Sequence, residues 1–150
     1  MSELCIGVTG GRGFIGQHLC DALRQHGVRY EVFEGSFSDN SSLDSFVARC
    51  RVIIHLAGRN RDRGDVLMSQ NTLFAQSLAN AMARVGNRFV IFASSQYVTR
   101  YPNSDYSNGK KAAESIFLQL AGSQGCDACV MRLPNIYGPG GLPFYNSIVA

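Results

Sequence analysis

Long apolar runs are missing from this sequence of 150 residues. None reaches the ~18 residues of a membrane-crossing helix, so no membrane partner is expected. A secretory leader is not expected either, because the first residues pass straight into the strand-like run Leu4 to Val8, without a basic region and an apolar core. The expectation is a cytoplasmic protein. Repeats, low-complexity tracts and linkers are lacking, which leaves one domain with enough chain to bury a core. Charge of one sign is scarce, and a net charge of +3 is too mild to argue for nucleic acid. Lysine is scarcer still. Twelve of the fourteen basic residues are Arg, and the two lysines are the neighbours Lys110 and Lys111. Arg59, Arg61 and Arg63 alternate after an apolar run, where they either meet an anionic ligand or form a solvated loop. No second C-x-x-C pair accompanies Cys126 and Cys129, and these sit at a helix-to-strand connection, so neither metal nor redox work is expected. Cys5, Cys20 and Cys50 read as small buried hydrophobes.

What is present is glycine in one telling place. The stretch TGGRGFIG at 9–16 follows the apolar run Leu4 to Val8 and precedes the amphipathic stretch Phe14 to Gln25. Strand, glycine turn and helix in that order make a phosphate cradle. Gly10 permits the sharp exit from the strand, Gly13 lets a pyrophosphate approach the backbone, and Gly16 lets the helix pack on the strand. The helix then opens at Phe14 and Ile15, offering free N–H groups to an anion. The spacing is G-x-x-G-x-x-G rather than G-x-G-x-x-G, and glycine-rich turns of this kind also occur where nothing binds.

Further along, strands are expected at Arg29 to Phe33, Val52 to Ala57, Phe89 to Ala93 and Val130 to Leu133. Helices are expected at about Leu43 to Ala48, Met68 to Val85 and Tyr106 to Ala121, with Gly27, Gly86, Gly122 and Gly125 as stops. Ser36 to Ser42 reads as a polar turn, Pro134 to Pro143 as loop, and Phe144 to Ala150 as the opening of another helix. Strands alternate with helices and look apolar enough to be covered on both faces. The fold class is therefore α/β, a doubly wound Rossmann-type parallel sheet.

Three features bear on chemistry. Glu34 ends the second strand, 24 residues after Gly10, where a carboxylate can accept the ribose hydroxyls of an adenosine and repel a 2′-phosphate. That favours NAD. Arg12, inside the glycine turn, argues for NADP because its guanidinium could pair with that phosphate. Read blandly, Glu34 is a solvated strand-end carboxylate. Second, Tyr106-x-x-x-Lys110 places a phenol and an ammonium one helical turn apart. The ammonium is expected to lower the Tyr pKa and so suit it to acid–base work. Third, Ser95 ends a central strand at the carboxyl edge of the sheet, positioned to bond the same oxygen, although it is equally a strand-ending turn residue.

Taken together, TGGRGFIG at 9–16, HLAG at 55–58, FASSQYV at 92–98, YSNGKKAAE at 106–114 and RLPNIYGPG at 132–140 resemble the extended short-chain dehydrogenases/reductases. That group includes nucleotide-sugar epimerases, dehydratases and 4-ketoreductases. The resemblance spans essentially the whole chain. It implies that Ser95, Tyr106 and Lys110 are the catalytic Ser, Tyr and Lys, with Lys110 also holding the nicotinamide ribose. It implies that Leu56, Ala57, Gly58 and Pro134 line the cofactor and that Asn135 lies near the nicotinamide and the sugar nucleotide. HLAGRNR, RLPNIYG and PFYNSIVA most resemble capsular-polysaccharide 4-ketoreductases, which use NADPH, whereas Glu34 points to NAD.

Two departures from the family pattern matter. The interval from Gly10 to His55 is about 25 residues short of the family's usual length, so the third strand-helix unit is expected to be shortened or missing, with Asp39 replacing part of the adenine wall. Members of the family run to roughly twice this length, so a C-terminal substrate domain is expected to be absent from this chain. The reading is a cofactor-binding domain carrying a catalytic triad for a nucleotide-sugar enzyme. The alternative is a non-catalytic NAD(P)-binding module. The helices Met68–Val85 and Tyr106–Ala121 resemble the family's four-helix dimer interface, which implies a homodimer, although their apolar outer residues read equally well as core.

Overall fold

A computed structural model describes residues 4–59, 64–87 and 89–141. The strands are β1 (Ile6–Thr9), β2 (Tyr30–Phe33), β3 (Val52–His55), β4 (Phe89–Ser95) and β5 (Asp127–Leu133). The helices are α1 (Phe14–Gln25), α2 (Asn40–Arg49), α3 (Gly64–Val85), α4 (Tyr97–Arg100) and α5 (Asp105–Gln124). All strand pairs are parallel, in the order β2-β1-β3-β4-β5. Removing the third strand from the six-strand order 3-2-1-4-5-6 leaves this arrangement. Between Phe33 and Val52 the chain makes one helix, α2, and no strand, so β2 is an edge.

Local chemistry sets the element ends. Gly27 turns left-handed at φ 66°, and its N–H and that of Val28 bond back to Arg24 and Leu23, closing α1. Asp39 accepts the Ser42 amide at 3.2 Å and caps α2, so the expected polar turn is half helix. Ser104 caps α5 in the same way by accepting the Ser107 amide at 3.2 Å. Gly125, at φ 62°, ends α5, whereas Gly122 lies inside it. The short helix α4 falls between the expected strand ending at Ala93 and the expected helix from Tyr106, where no element was expected. Arg61, Arg63 and the expected helix from Phe144 lie outside the described residues.

Right-handed crossovers send α1 and α2 to opposite faces, because β2 and β3 flank β1 on opposite sides. Neighbouring residues of β2 show this: Tyr30 bonds Arg24 of α1, while Glu31 pairs with Arg49 of α2. Helices α2, α3 and α5 form one layer over the sheet. Beneath it lie the fully buried side chains of Leu43, Phe46, Ile53, Leu78, Met82, Val90, Phe92 and Phe117. The other face is covered over β1 and β2 by α1. Along β4 and β5 it leaves Phe89 37% and Met131 47% exposed, with Cys129 beside them in register with Ile91. The expectation of cover on both faces therefore fails at these two strands among the described residues. Cys126 is buried and Cys129 exposed, since an odd offset along extended chain points two side chains to opposite sides.

Phe117 is fully enclosed and touches both Phe92 and His55, with ring centroids at 5.2 and 5.5 Å. Phe117→Ala should cost about 3–5 kcal/mol in urea unfolding. A loss below about 1 kcal/mol would mean that α5 does not seat there.

Candidate active site

Four segments meet at the carboxyl edge of the sheet: the glycine turn, the chain after β3, the β4–α5 pair and the loop after β5. They enclose a cleft of about 640 Å³. Of the residues expected to act there, Gly10, Gly13, Phe14, Ile15, Gly16, Leu56, Gly58, Ser95, Tyr106, Lys110, Pro134 and Asn135 all line it. Ala57 does not. Its amide bonds Thr9 Oγ1 at 3.3 Å, and its backbone abuts Gly10.

The glycine turn is packed tightly on one side and open on the other. A Cβ on Gly10, whose φ is 74°, would come within 2.6 Å of the Ala57 amide nitrogen. On Gly16 it would come within 2.2 Å of the Gly10 carbonyl oxygen, so this helix sits directly on the strand exit. Gly13 is different: its Cβ would meet only the Gly10 carbonyl, at 3.3 Å. It is also the N-cap of α1 and supplies no side-chain cap, so the first helical amides face the cleft without a capping partner. Those observations fit a pyrophosphate lying across Gly13. The loop after β5 comes back over the start of α1. There Pro139 carbonyl oxygen meets His18 Nε2 at 2.8 Å, and Gly138 and Gly141 lie against the Phe14 ring.

On the other wall, α5 is laid on the end of β4. Lys110 Nζ donates to the Ala93 carbonyl at 2.8 Å, 5.0 Å from the centre of the Phe92 ring and 5.9 Å from that of Tyr106. Burial lowers the Lys110 ammonium to about 8, against the opposing pull of Glu114. The Ser95 hydroxyl receives the Tyr97 amide at 3.2 Å and lies close enough to the Tyr106 phenol to favour its ionised form. The expected lowering of the Tyr106 pKa is corrected here. Burial raises it and outweighs the influence of Ser95, while the ammonium is turned to a backbone carbonyl rather than to the phenol oxygen.

Arg12 and Glu34 line a smaller hollow of about 310 Å³ beside α1 and β2. Rather than competing, they form an ion pair with each other at 2.8 Å on the surface. Asp39 lines neither cavity and is occupied in capping α2.

Two residues of the site were not singled out from the sequence. Asn71 of α3 is buried and clamps the backbone of residue 59, accepting its N–H at 2.8 Å and donating to its carbonyl at 2.9 Å. A Cβ on Gly58 would stand 2.9 Å from Asn71 Oδ1 and 3.6 Å from Lys110 Nζ, so a side chain there would press into the site. The signal was a polar residue on the stripe Asn71, Ala75, Leu78, Met82, every other member of which is apolar core. Glu114 is the second. It is buried one turn after Lys110, and accepts the Ser94 hydroxyl and both arms of Arg132.

Comparison with known proteins follows the same outline. The family model described as the NAD dependent epimerase/dehydratase family matches residues 6–150. A UDP-2-acetamido-2,6-beta-L-arabino-hexul-4-ose reductase of Pseudomonas aeruginosa is 31% identical over 95% of this chain and 38% of its own length. A ceramide reductase of Caulobacter vibrioides is 30% identical over 90% of this chain and 47% of its own. The chain thus spans less than half the length of these curated relatives. Among solved structures, the UDP-glucose 4-epimerase of Thermotoga maritima with UDP-glucose superposes with a TM-score of 0.85 at 22% identity, covering 96% of this chain and 60% of that one. At that identity the likeness speaks for the fold.

His55, the first residue of HLAG, is fully enclosed, shares a 2.6 Å hydrogen bond with Thr9 and is pushed by burial down to about 3. Between about 3 and its ordinary 6.5 the unfolded chain binds a proton that the folded one refuses. Stability therefore falls on acidification through that window, by up to about 1.4 kcal/mol per pH unit. From pH 6.5 to pH 5 the protein should lose about 2 kcal/mol more than His55→Gln in urea unfolding. Equal losses would show that His55 is not held neutral.

Proposed function

The chain belongs to the NAD-dependent epimerase/dehydratase family, and on that premise we propose that it is the cofactor-binding, proton-transferring part of an oxidoreductase acting at C4 of a nucleotide sugar. The observation that carries this is the meeting of Ser95, Tyr106 and Lys110 with the glycine turn in one cleft. The name of the Pseudomonas relative, a hexul-4-ose reductase, supports the carbonyl and its position. Surface-polysaccharide precursor synthesis is the matching role, and the cytoplasm the matching place. No described helix is long and apolar enough to cross a membrane. The relatives' additional length is where we place the substrate-gripping part. Leu73 on α3 and Leu118 on α5 are exposed apolar residues on the two helices that would meet in a homodimer.

When bound, the nicotinamide supplies or takes up the electron pair of the redox step. The chain's own residues do the rest. Burial keeps Tyr106 protonated at neutral pH, the form that donates to a ketone oxygen as it becomes an alcohol. Ser95, which lines the same cleft as Tyr106, holds that oxygen with its hydroxyl. Lys110, still largely charged at neutral pH, brings a positive charge to the site and a donor for a ribose hydroxyl. In the full-length protein, Tyr106→Phe should lower turnover by about 10²–10⁴-fold while leaving cofactor affinity within about threefold. Unimpaired turnover would remove the assignment.

The cofactor reading follows from the surface ion pair. Glu34 fits the ribose hydroxyls of NAD, and a 2′-phosphate would first have to take Arg12 from it. Titration of the chain should show tighter binding of NADH than of NADPH by nicotinamide fluorescence. Glu34→Gln, which frees Arg12, should shift the ratio toward NADPH by about tenfold or more, worth some 1.4 kcal/mol. A ratio unmoved by that substitution would place the ribose elsewhere.

A further inference from the structure

Glu114 takes no part in the proton transfer above, yet it is the one buried carboxylate among the described residues, 6% exposed. A charge is seldom enclosed without a partner, because desolvation costs several kcal/mol per ion. Arg132 of β5 is one partner, gripping Oε1 at 3.0 Å and Oε2 at 2.7 Å. That guanidinium is itself 45% exposed and shares its charge with water. Lys110 is in the opposite condition. It is 7% exposed, and the groups it touches, the Ala93 carbonyl and the Phe92 and Tyr106 rings, are neutral. Glu114 stands one helical turn further along α5. The two side chains hold consecutive residues of β4: Lys110 takes the Ala93 carbonyl, and Glu114 the Ser94 hydroxyl at 2.5 Å.

We propose that Glu114 is a positioning residue of the site: its buried carboxylate is the counter-ion of the Lys110 ammonium, and its bonds to Ser94 and Arg132 fix where α5 sits on β4 and β5. The electrostatics agree in both directions, since Glu114 favours the charged form of Lys110 and Lys110 that of Glu114. The other titratable groups around Lys110 are few. Among the described residues they are His55 from β3, Tyr97 from α4, Tyr106 on α5 itself and Arg132 from β5; β4 presents the Phe92 ring, serine hydroxyls and backbone, none of them charged, and the described charge on α3, Arg84, is paired with Asp44 of α2. This role rests on the reading of Lys110 as a site residue, but its test needs neither cofactor nor substrate. Failure of the counter-ion and failure of cofactor binding are therefore separate outcomes.

With two lysines in the sequence, Lys110 and Lys111, the test is direct. The chain is labelled at lysine ¹³Cε and titrated by NMR, and Lys111→Arg assigns the two signals. Lys110 should titrate at about 8. Glu114→Gln keeps an acceptor for Ser94 but removes the charge, and should move Lys110 down by a unit or more. Arg132→Gln breaks the same ion pair but keeps the carboxylate, and should move Lys110 up. Simple loosening of the packing would admit water and raise Lys110 in both variants. If Glu114→Gln does not fold, the double variant Glu114→Gln, Arg132→Gln takes its place, since it does not leave the Arg132 guanidinium without its carboxylate, and Lys110 should again fall. An unchanged or raised Lys110 in the folded variant without the carboxylate overturns the proposal, as does a lowered one in Arg132→Gln.

Discussion

The structure depends most on the seating of α5 across the end of β4. Ala93, Ser94 and Ser95 are consecutive strand residues: Lys110 of α5 holds the first, Glu114 the second, and Tyr106 lines the same cleft as the third. The helix positions lie one turn apart, so a single face of α5 reaches all three. Beneath this polar row the same helix drives Phe117 and Leu120 into the shared core, and α3 packs along it. Apolar burial supplies the adhesion, and the polar row supplies the register. Only with that register does the phenol reach the strand-end serine.

The opposite wall works by a different constraint, the absence of side chains. Gly10 and Gly16 let strand, turn and helix collapse onto each other to distances that no Cβ would tolerate, while Gly13 keeps its outer side open to the cleft. Gly58 extends the principle to the chain after β3, where Asn71 locks the backbone in place. Rigid backbone on one side faces anchored polar side chains on the other. A ligand spanning the cleft would thus find both its phosphate and its reacting end already positioned, which limits the ordering cost of binding.

Much of this was legible because it is local. The apolar run, the three glycines and the amphipathic stretch specify strand, turn and helix within about twenty residues, and the short interval to His55 foretold the missing strand. The ends of elements were less legible. Asp39 looked like part of a binding wall, whereas the Asp-x-x-Ser spacing makes it a cap. Helix α4 is too short to leave a periodic pattern. What the sequence could not show was tertiary. The Tyr-Lys spacing suggested a lowered phenol pKa, but depth of burial dominates and depth is a property of the whole packing. The exposure of Phe89 and Met131 was likewise invisible, because β4 and β5 are apolar along both faces and only the helices decide which one is covered. Arg12 and Glu34 seemed to argue opposite cases until the fold brought them together.

The hold of α5 on β4 also dictates where the chain tolerates a change of length. One residue added within 93–95 would exchange the faces of Ser94 and Ser95. One added within 106–114 would rotate part of the helix by about 100° and break the row. Between Ser95 and Tyr106, however, the chain runs through α4 and a turn tied down by the bond from Ser107 to the Tyr97 carbonyl. An insertion at the tip of that turn, around Pro102 and Asn103, leaves both gripping segments whole. The serine and the tyrosine are thus free to drift apart in sequence while staying together in space, and a fixed serine-to-tyrosine spacing is a poor guide to whether a related chain keeps the site.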